Sequence, residues 1–272
     1  MSSPRLASKF ARMMGALHPQ ARLFCFPFAG GSSPVFVGWG EALKPEVEVW
    51  SAQPRGRGVR FRETLYATVE EMVEDFLPLL REHAEMPFAF YGHSLGGLVA
   101  FELTRRLQAE GAAGPEHLFL GASIPPHLGL IHPRIDHLPD EQFVGVIQER
   151  YAGIPDVVLQ EPELMEMFLP VLRTDFGAYE RYEFADSGQI RCPLTAFVGQ
   201  DDPAISQPVM TQWGLHTEGP FALHVVPGGH FFLTESRDAV LAEIRESLKA
   251  VLSPTISSSA GATSAAARVR PA

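Results

Sequence analysis

The apolar residues of the chain fall into two rhythms. Short runs that are apolar at most positions recur at Leu23–Phe28, Val47–Ala52, Phe88–Tyr91, His117–Gly121, Leu194–Val198 and Ala222–Val226. Several of these lack polar alternation, as in strands buried on both faces of a parallel sheet. Between them, apolar positions return every three or four residues, the period of an amphipathic helix. Thr68 and Glu71 have capping-box spacing ahead of Met72, Val73, Phe76 and Leu80. Leu95, Leu98, Val99, Leu103 and Leu107 share one helical face, and Gly111 follows as a stop signal. Val240, Leu241, Ile244, Leu248 and Val251 mark a last helix. Strands alternating with helices predict an α/β fold, a mostly parallel central sheet with helices on both faces.

One stretch departs from this alternation. From about residue 136 to 186 no strand pattern appears, while Phe143, Ile147, Tyr151, Leu164, Met167, Phe168, Val171 and Leu172 recur at helical spacing. A helical insertion between two strands of such a sheet reads as a lid over a binding site. Residues 1–20 have no clean period and are expected to form a loose leader. Residues 21–252 carry the domain. Residues 253–272 are rich in Ser, Ala and Thr, bury little apolar surface and are expected to be disordered.

Composition narrows the partners. The 272 residues are 46% hydrophobic and 20% charged, with a formal net charge of −10. That balance suits a folded core and disfavours nucleic acid, whose phosphates need a basic face. No run of about 18 apolar residues exists to span a membrane. The two cysteines, Cys25 and Cys192, form neither a disulfide framework nor a metal spacing. No metal or cofactor is expected, and a reducing cytoplasmic setting fits.

The strongest chemical signal is Gly92-His93-Ser94-Leu95-Gly96, of the form Gly-x-Ser-x-Gly, set between a strand pattern and a helix pattern. A sharp strand-turn-helix bend would lift the Ser94 hydroxyl off the sheet. Glycines two residues either side let the bend close, and the N–H of Leu95 would face a developing oxyanion. A serine hydroxyl needs a base. His230 in Pro227-Gly228-Gly229-His230 follows the last strand and is the best candidate. A carboxylate must then orient the histidine. Asp201 and Asp202 both follow the Leu194–Val198 strand; Asp202 is preferred, with Asp201 as a turn residue. The second oxyanion donor is expected in Phe26-Pro27-Phe28-Ala29-Gly30-Gly31, as the N–H of Ala29 or Phe28. His93 precedes the nucleophile, so its side chain is expected to point elsewhere, yet it is kept with Phe28, Phe143 and Phe168 as a candidate substrate or lid contact. His127, His132 and His137 open the lid segment and read as packing or substrate contacts. Arg55, Arg57 and Arg60 form a basic cluster. It is either a solvated loop or a contact for the phosphate or acidic surface of a partner.

Taken in order, these pieces resemble the type II thioesterases of polyketide and nonribosomal peptide biosynthesis, which have the α/β-hydrolase fold. The resemblance rests on Phe26-Pro27-Phe28-Ala29-Gly30-Gly31, Pro54-Arg55-Gly56-Arg57-Gly58, the Ser94 motif, Pro125-Pro126-His127, His137-Leu138-Pro139-Asp140, Leu169 to Asp175, Gly199 to Pro203 and Gly229-His230-Phe231. It covers about residues 21–252. It implies a stand-alone thioesterase that hydrolyses acyl or aminoacyl groups from the phosphopantetheine arm of an acyl or peptidyl carrier protein, with Ser94, Asp202 and His230 as triad and Ala29 and Leu95 as oxyanion donors. Leu95 stands where the family often has Met, and Gln200 where Asp is frequent. A carboxylesterase or lipase with the same triad, and a carrier-binding module without catalysis, are the alternatives.

Overall fold

The computed structural model describes residues 4–252. The tail at 253–272, expected to be disordered, lies outside the described residues. A seven-stranded sheet has the order β1-β3-β2-β4-β5-β6-β7. Its strands are β1 (Phe10–Met13), β2 (Ala21–Phe26), β3 (Val47–Ala52), β4 (Phe88–His93), β5 (Leu118–Gly121), β6 (Leu194–Gly199) and β7 (Phe221–Val226). Only β1 is antiparallel; it pairs with β3 from Phe10↔Ala52 to Met13↔Val49. Strands β3 to β6 are buried at every position, which requires cover on both faces. That cover explains why their sequences do not alternate.

The helices are α1 (Pro4–Lys9), α2 (Trp39–Leu43), α3 (Val69–Glu82), α4 (Leu95–Ala109), α5 (Asp140–Tyr151), α6 (Asp156–Gln160), α7 (Pro162–Glu180), α8 (Gln207–Thr211), α9 (Phe232–Glu235) and α10 (Arg237–Leu252). The Thr68 hydroxyl accepts from the Glu71 N–H at the start of α3, as its spacing predicts. The Glu71 carboxylate reaches back to the N–H of Ala67, one residue before the cap.

The N-terminal residues correct the expectation of a loose leader. Phe10 is fully buried, and its ring meets Phe24, Phe26 and Phe76 at 5.1 to 6.0 Å. Leu6 is buried as well, and Lys9 donates to the Asp75 carboxylate at 2.9 Å. A four-residue edge strand with one fully buried side chain is too short to show a period, so its sequence carries no strand signal.

Helices α5 to α7 fill the segment between β5 and β6. They carry a small core of their own: Ile135, Phe143, Ile147, Ile154 and Leu172. The two ends of the segment are tied together. Glu180 accepts from the N–H groups of Ile135 and Asp136 at 2.9 and 3.0 Å, and Arg173 donates to the carbonyls of Asp136 and Leu138 at 2.6 and 2.8 Å.

Candidate active site

The ends of β2, β4 and β7 bring their residues to one cleft. Because β2 lies between β3 and β4, the chain reverses its winding there, and the crevice beyond the carboxyl ends of the strands is open for a ligand. The loop after β2 brings Phe28 and Ala29, the turn after β4 brings Ser94, and the loop after β7 brings His230. Together with Leu95, Ala122, Ile147, Tyr151, Leu172 and Phe176 they line a cavity that opens to solvent.

Ser94 sits at a bend with φ 53° and ψ −119°, a region an L residue occupies only under constraint. Its own N–H donates to the Gly121 carbonyl at 2.8 Å, and its carbonyl accepts from Gly97 N–H at 2.9 Å. The flanking glycines are steric necessities. A Cβ on Gly92 would lie 2.2 Å from the Gly96 carbonyl oxygen, and one on Gly96 would lie 2.2 Å from that of Phe26. Leu95 N–H belongs to the first turn of α4, where no intrahelical acceptor exists and the helix end carries positive partial charge.

His230 meets Asp202. Its Nδ1 is 2.9 Å from Asp202 Oδ2, and both side chains are buried. Oδ1 of the same carboxylate accepts from the N–H groups of Ala204 and Ile205 at 2.9 and 3.2 Å. An ionised carboxylate is satisfied by this set, and it selects the tautomer with hydrogen on His230 Nδ1 and a lone pair on Nε2. Asp201 is exposed and engages only through its backbone, donating N–H to the Gly228 carbonyl at 3.0 Å. The two loops approach closely because residue 199 is glycine; a Cβ there would lie 2.2 Å from the Gly229 carbonyl oxygen.

In the loop after β2, two N–H groups are taken up inside the fold. Gly31 N–H donates to the Phe28 carbonyl at 2.8 Å and Gly30 N–H to Asp175 Oδ2 at 2.8 Å. The peptide joining Phe28 to Ala29 is trans, so fixing the Phe28 carbonyl turns the Ala29 N–H the other way.

Of the four residues expected to contact substrate from the lid or beside the serine, Phe28 lines the cavity and three do not. Phe143 is fully buried in the lid's own core, edge-on to Phe176 at 5.7 Å and under the Arg173 guanidinium at 4.3 Å. Phe168 packs on that same cluster. His93 is fully buried beneath the site, with Nε2 2.7 Å from the His230 carbonyl oxygen and Nδ1 3.2 Å from the Tyr91 hydroxyl. The carbonyl can only accept, so Nε2 carries the hydrogen and Nδ1 accepts from Tyr91. Burial, with His230 adjacent, pushes its pKa down to about 3, so the ring is neutral. Tyr151, Phe176 and Tyr179 are the aromatic lining instead. The Tyr151 ring stands 4.9 Å from that of His230. Both tyrosines hold their protons more tightly than usual because they are buried.

His127 and His132 also lie off the cavity. His127 meets His216 at 2.7 Å and His132 meets the Ala204 carbonyl at 3.0 Å. The arginine cluster turns inward. Arg55 and Arg60 pair with Asp75 at 2.9 and 2.7 Å, and Arg57 pairs with Asp175 at 2.6 Å. Arg57 and Arg60 are nearly buried by these pairs, which corrects the solvated-loop reading for those two. No group of three or more His, Cys, Asp or Glu side chains among the described residues is arranged to hold a metal ion. No helix among them is long and apolar enough to cross a membrane.

Residues 21–248 match the family described as Thioesterase domain. The chain belongs to the thioesterase family. The gramicidin S biosynthesis protein GrsT of Aneurinibacillus migulanus is 35% identical to this thioesterase over 235 residues, which cover 86% of the chain and 91% of GrsT. The thioesterase RedJ, from the prodiginine biosynthetic pathway in Streptomyces coelicolor, aligns with a TM-score of 0.80 at 37% identity, covering 86% of this chain and 95% of RedJ. BorB, the type II thioesterase from the borrelidin biosynthetic cluster, aligns at 0.81 with 33% identity, covering 91% and 99%. The resemblance to type II thioesterases and the α/β-hydrolase fold read from the sequence are borne out.

Proposed function

We propose that this thioesterase hydrolyses acyl or aminoacyl thioesters carried on the phosphopantetheine arm of acyl or peptidyl carrier proteins. Its role is to release or edit chains in polyketide or nonribosomal peptide biosynthesis, in the cytoplasm. The observation that carries the reading is the 2.9 Å contact of His230 Nδ1 with Asp202 beside a strained serine bordering the same cavity. The biosynthetic setting is drawn from GrsT, RedJ and BorB, which are named for such pathways.

The mechanism follows from those positions. His230 Nε2 takes the proton of Ser94 as its hydroxyl attacks the thioester carbon. Asp202 steadies the imidazolium that results. The N–H groups of Ala29 and Leu95 receive the oxyanion; one such donor is worth about 3–4 kcal/mol of transition-state stabilisation. The C–S bond then breaks and the thiol leaves with the proton from His230. Water, deprotonated by the same nitrogen, attacks the acyl-serine and frees the acid. Among the described residues no hydrogen bond to the Ser94 hydroxyl is formed. Such contacts commonly tighten when substrate binds.

The test compares acyl-loaded carrier proteins with short p-nitrophenyl esters as substrates for the wild type and Ser94→Ala. We expect kcat/KM on the carrier thioester to exceed that on the free ester, and Ser94→Ala to abolish both with folding intact. Faster turnover of free esters than of any loaded carrier would favour a carboxylesterase. Undiminished thioester hydrolysis by Ser94→Ala would remove the nucleophile.

A further inference from the structure

The carboxylate of Asp175 is buried, comes from the lid helix α7, and bonds to a backbone N–H of the loop after β2. Oδ2 accepts from Gly30 N–H at 2.8 Å and from Arg57 Nη1 at 2.6 Å, while Oδ1 accepts from Arg57 Nη2 at 2.9 Å. Arg57 Nη1 also donates to the Gly31 carbonyl at 3.1 Å. The two peptide planes flanking Ala29 are therefore both fixed. The Phe28–Ala29 plane is held by Gly31 N–H on the Phe28 carbonyl, and the Ala29–Gly30 plane by Gly30 N–H on Asp175. Only the second of these restraints comes from outside the loop.

We propose that Asp175 is a positioning residue for the Ala29 N–H, with Arg57 as its counter-ion, so that the oxyanion site is complete only while lid helix α7 is seated. The assignment rests on the reading of Ala29 as an oxyanion donor. Three features favour it over a plain ion pair. A pair needs no third partner, yet Oδ2 is shared with a loop N–H. Gly30 adopts φ +76°, and a Cβ there would lie 2.8 Å from Phe168 Cζ and 2.9 Å from Leu172 Cδ1, so the loop is shaped to receive this helix. On α7, Asp175 occupies the buried stripe with Val171, Leu172 and Ala178, a place where an acid is desolvated and needs a partner. Phe168 and Asp175 thus reach the reaction through the loop rather than through substrate. A lid displaced from this seat withdraws the acceptor of Gly30 N–H and frees the Ala29–Gly30 peptide, so that the neighbouring plane carrying the Ala29 N–H keeps only the Gly31 N–H to Phe28 carbonyl bond within the loop to hold it.

The test is Asp175→Ala, with Asp175→Asn as the variant that keeps the side-chain volume. Sites are counted by exhaustive fluorophosphonate labelling. kcat and KM on an acyl-pantetheine thioester are measured per counted site, together with the affinity of a trifluoromethyl ketone analogue whose adduct places an oxyanion in the hole. Loss of a positioned donor predicts a fall in kcat of about 100-fold for Asp175→Ala, with KM changed about threefold or less. Ketone affinity falls in proportion. Asp175→Asn shows the same pattern to a smaller degree, because one acceptor oxygen survives. Unchanged kcat and ketone affinity per site in either variant, whatever happens to its melting temperature, overturns the proposal. Ser94→Ala runs in parallel: full activity there removes the underlying reading, whereas an inactive Ser94→Ala beside a fully active Asp175→Ala removes only the role of Asp175.

Discussion

The buried imidazole of His93 donates through Nε2 to the main-chain carbonyl of His230, 2.7 Å away. The residue before the serine thus holds the loop that carries the histidine expected to activate it. Tyr91, two residues earlier on β4, fixes the tautomer from the other side. One strand end therefore sets both the Ser94 bend and the backbone of His230.

Replacing His93 by Phe removes that donor while filling the space. A misplacement of about 1 Å between reacting groups can lower a rate by about 100-fold, so kcat should fall by about 10- to 100-fold with little change in KM. His93→Gln keeps an N–H donor and should recover part of the loss. Steady-state kinetics on one acyl-pantetheine thioester checks this; equal loss in both variants would show that the hydrogen bond is not what matters.

Stability should fall with acid in a window set by buried neutral histidines. His93 has a folded pKa near 3, driven by burial, against 6.5 for a free ring. The unfolded chain therefore binds the extra proton between those values. The stabilisation is fully present above pH 6.5 and is lost as pH falls toward 3, at about 1.4 kcal/mol per pH unit for one group. His117, lowered to about 4 by burial, and His216, lowered to about 4 by burial and by His127, act in the same direction. Asp75 works at lower pH. Burial opposes its ionisation, but hydrogen bonds from Arg60, Lys9 and Tyr66 prevail and hold it below the usual range. Its contribution is present above the ordinary carboxylate pKa and disappears below it. Urea midpoints from pH 7.5 to 4.5 should drop more steeply in the wild type than in His93→Gln. Parallel curves would show that His93 does not take up a proton on unfolding.

The two neighbouring aspartates should separate sharply. Asp202→Asn leaves His230 in the wrong tautomer and should lower kcat by roughly 10³- to 10⁴-fold. Asp201→Asn should leave kcat unchanged, since only its backbone N–H is engaged and its side chain is exposed. Kinetics of the two single variants decides between them, and the reverse order of effects would transfer the role to Asp201.

At the bend itself, backbone space matters more than side-chain identity. Gly96→Ala places a methyl 2.2 Å from the Phe26 carbonyl oxygen and 2.5 Å from that of Pro27, which should destabilise the fold by about 3 kcal/mol or more. Leu95→Met nearly conserves volume and should cost less than about 1.5 kcal/mol, with activity retained because only the backbone N–H is used. Thermal unfolding of both variants tests the contrast.

How far the sequence carried the reading depends on how local the signal is. The buried strands β2 to β6 and the Ser94 bend announce themselves in short stretches, because a two-faced strand must be apolar and a tight bend needs glycines at fixed offsets. The choice of Asp202 over Asp201 turned on which of two adjacent carboxylates reaches a loop 28 residues on, and the structure brings Asp202 to His230. Strand β1 stayed hidden because one phenylalanine does not make a period. The sequence pattern groups His93, Phe143 and Phe168 with the cavity, yet neighbourhood along the chain does not say which way a ring points. The partnership of Arg57 with Asp175 spans 118 positions. Its trace in the sequence is an acid on the apolar stripe of α7, three residues after Leu172.

Thioester hydrolysis by this chain is expected to pass through a covalent acyl-serine. Intact-protein mass spectrometry of His230→Ala after incubation with an acyl-loaded carrier protein, followed by peptide mapping, reads it directly, since loss of the base slows deacylation as well as attack. A single acyl adduct on Ser94 is the expected result, absent from Ser94→Ala and His230→Ala/Ser94→Ala proteins treated alike. Thioester hydrolysis by the wild type with no adduct at Ser94 under rapid acid quench, and undiminished hydrolysis by Ser94→Ala, would contradict it.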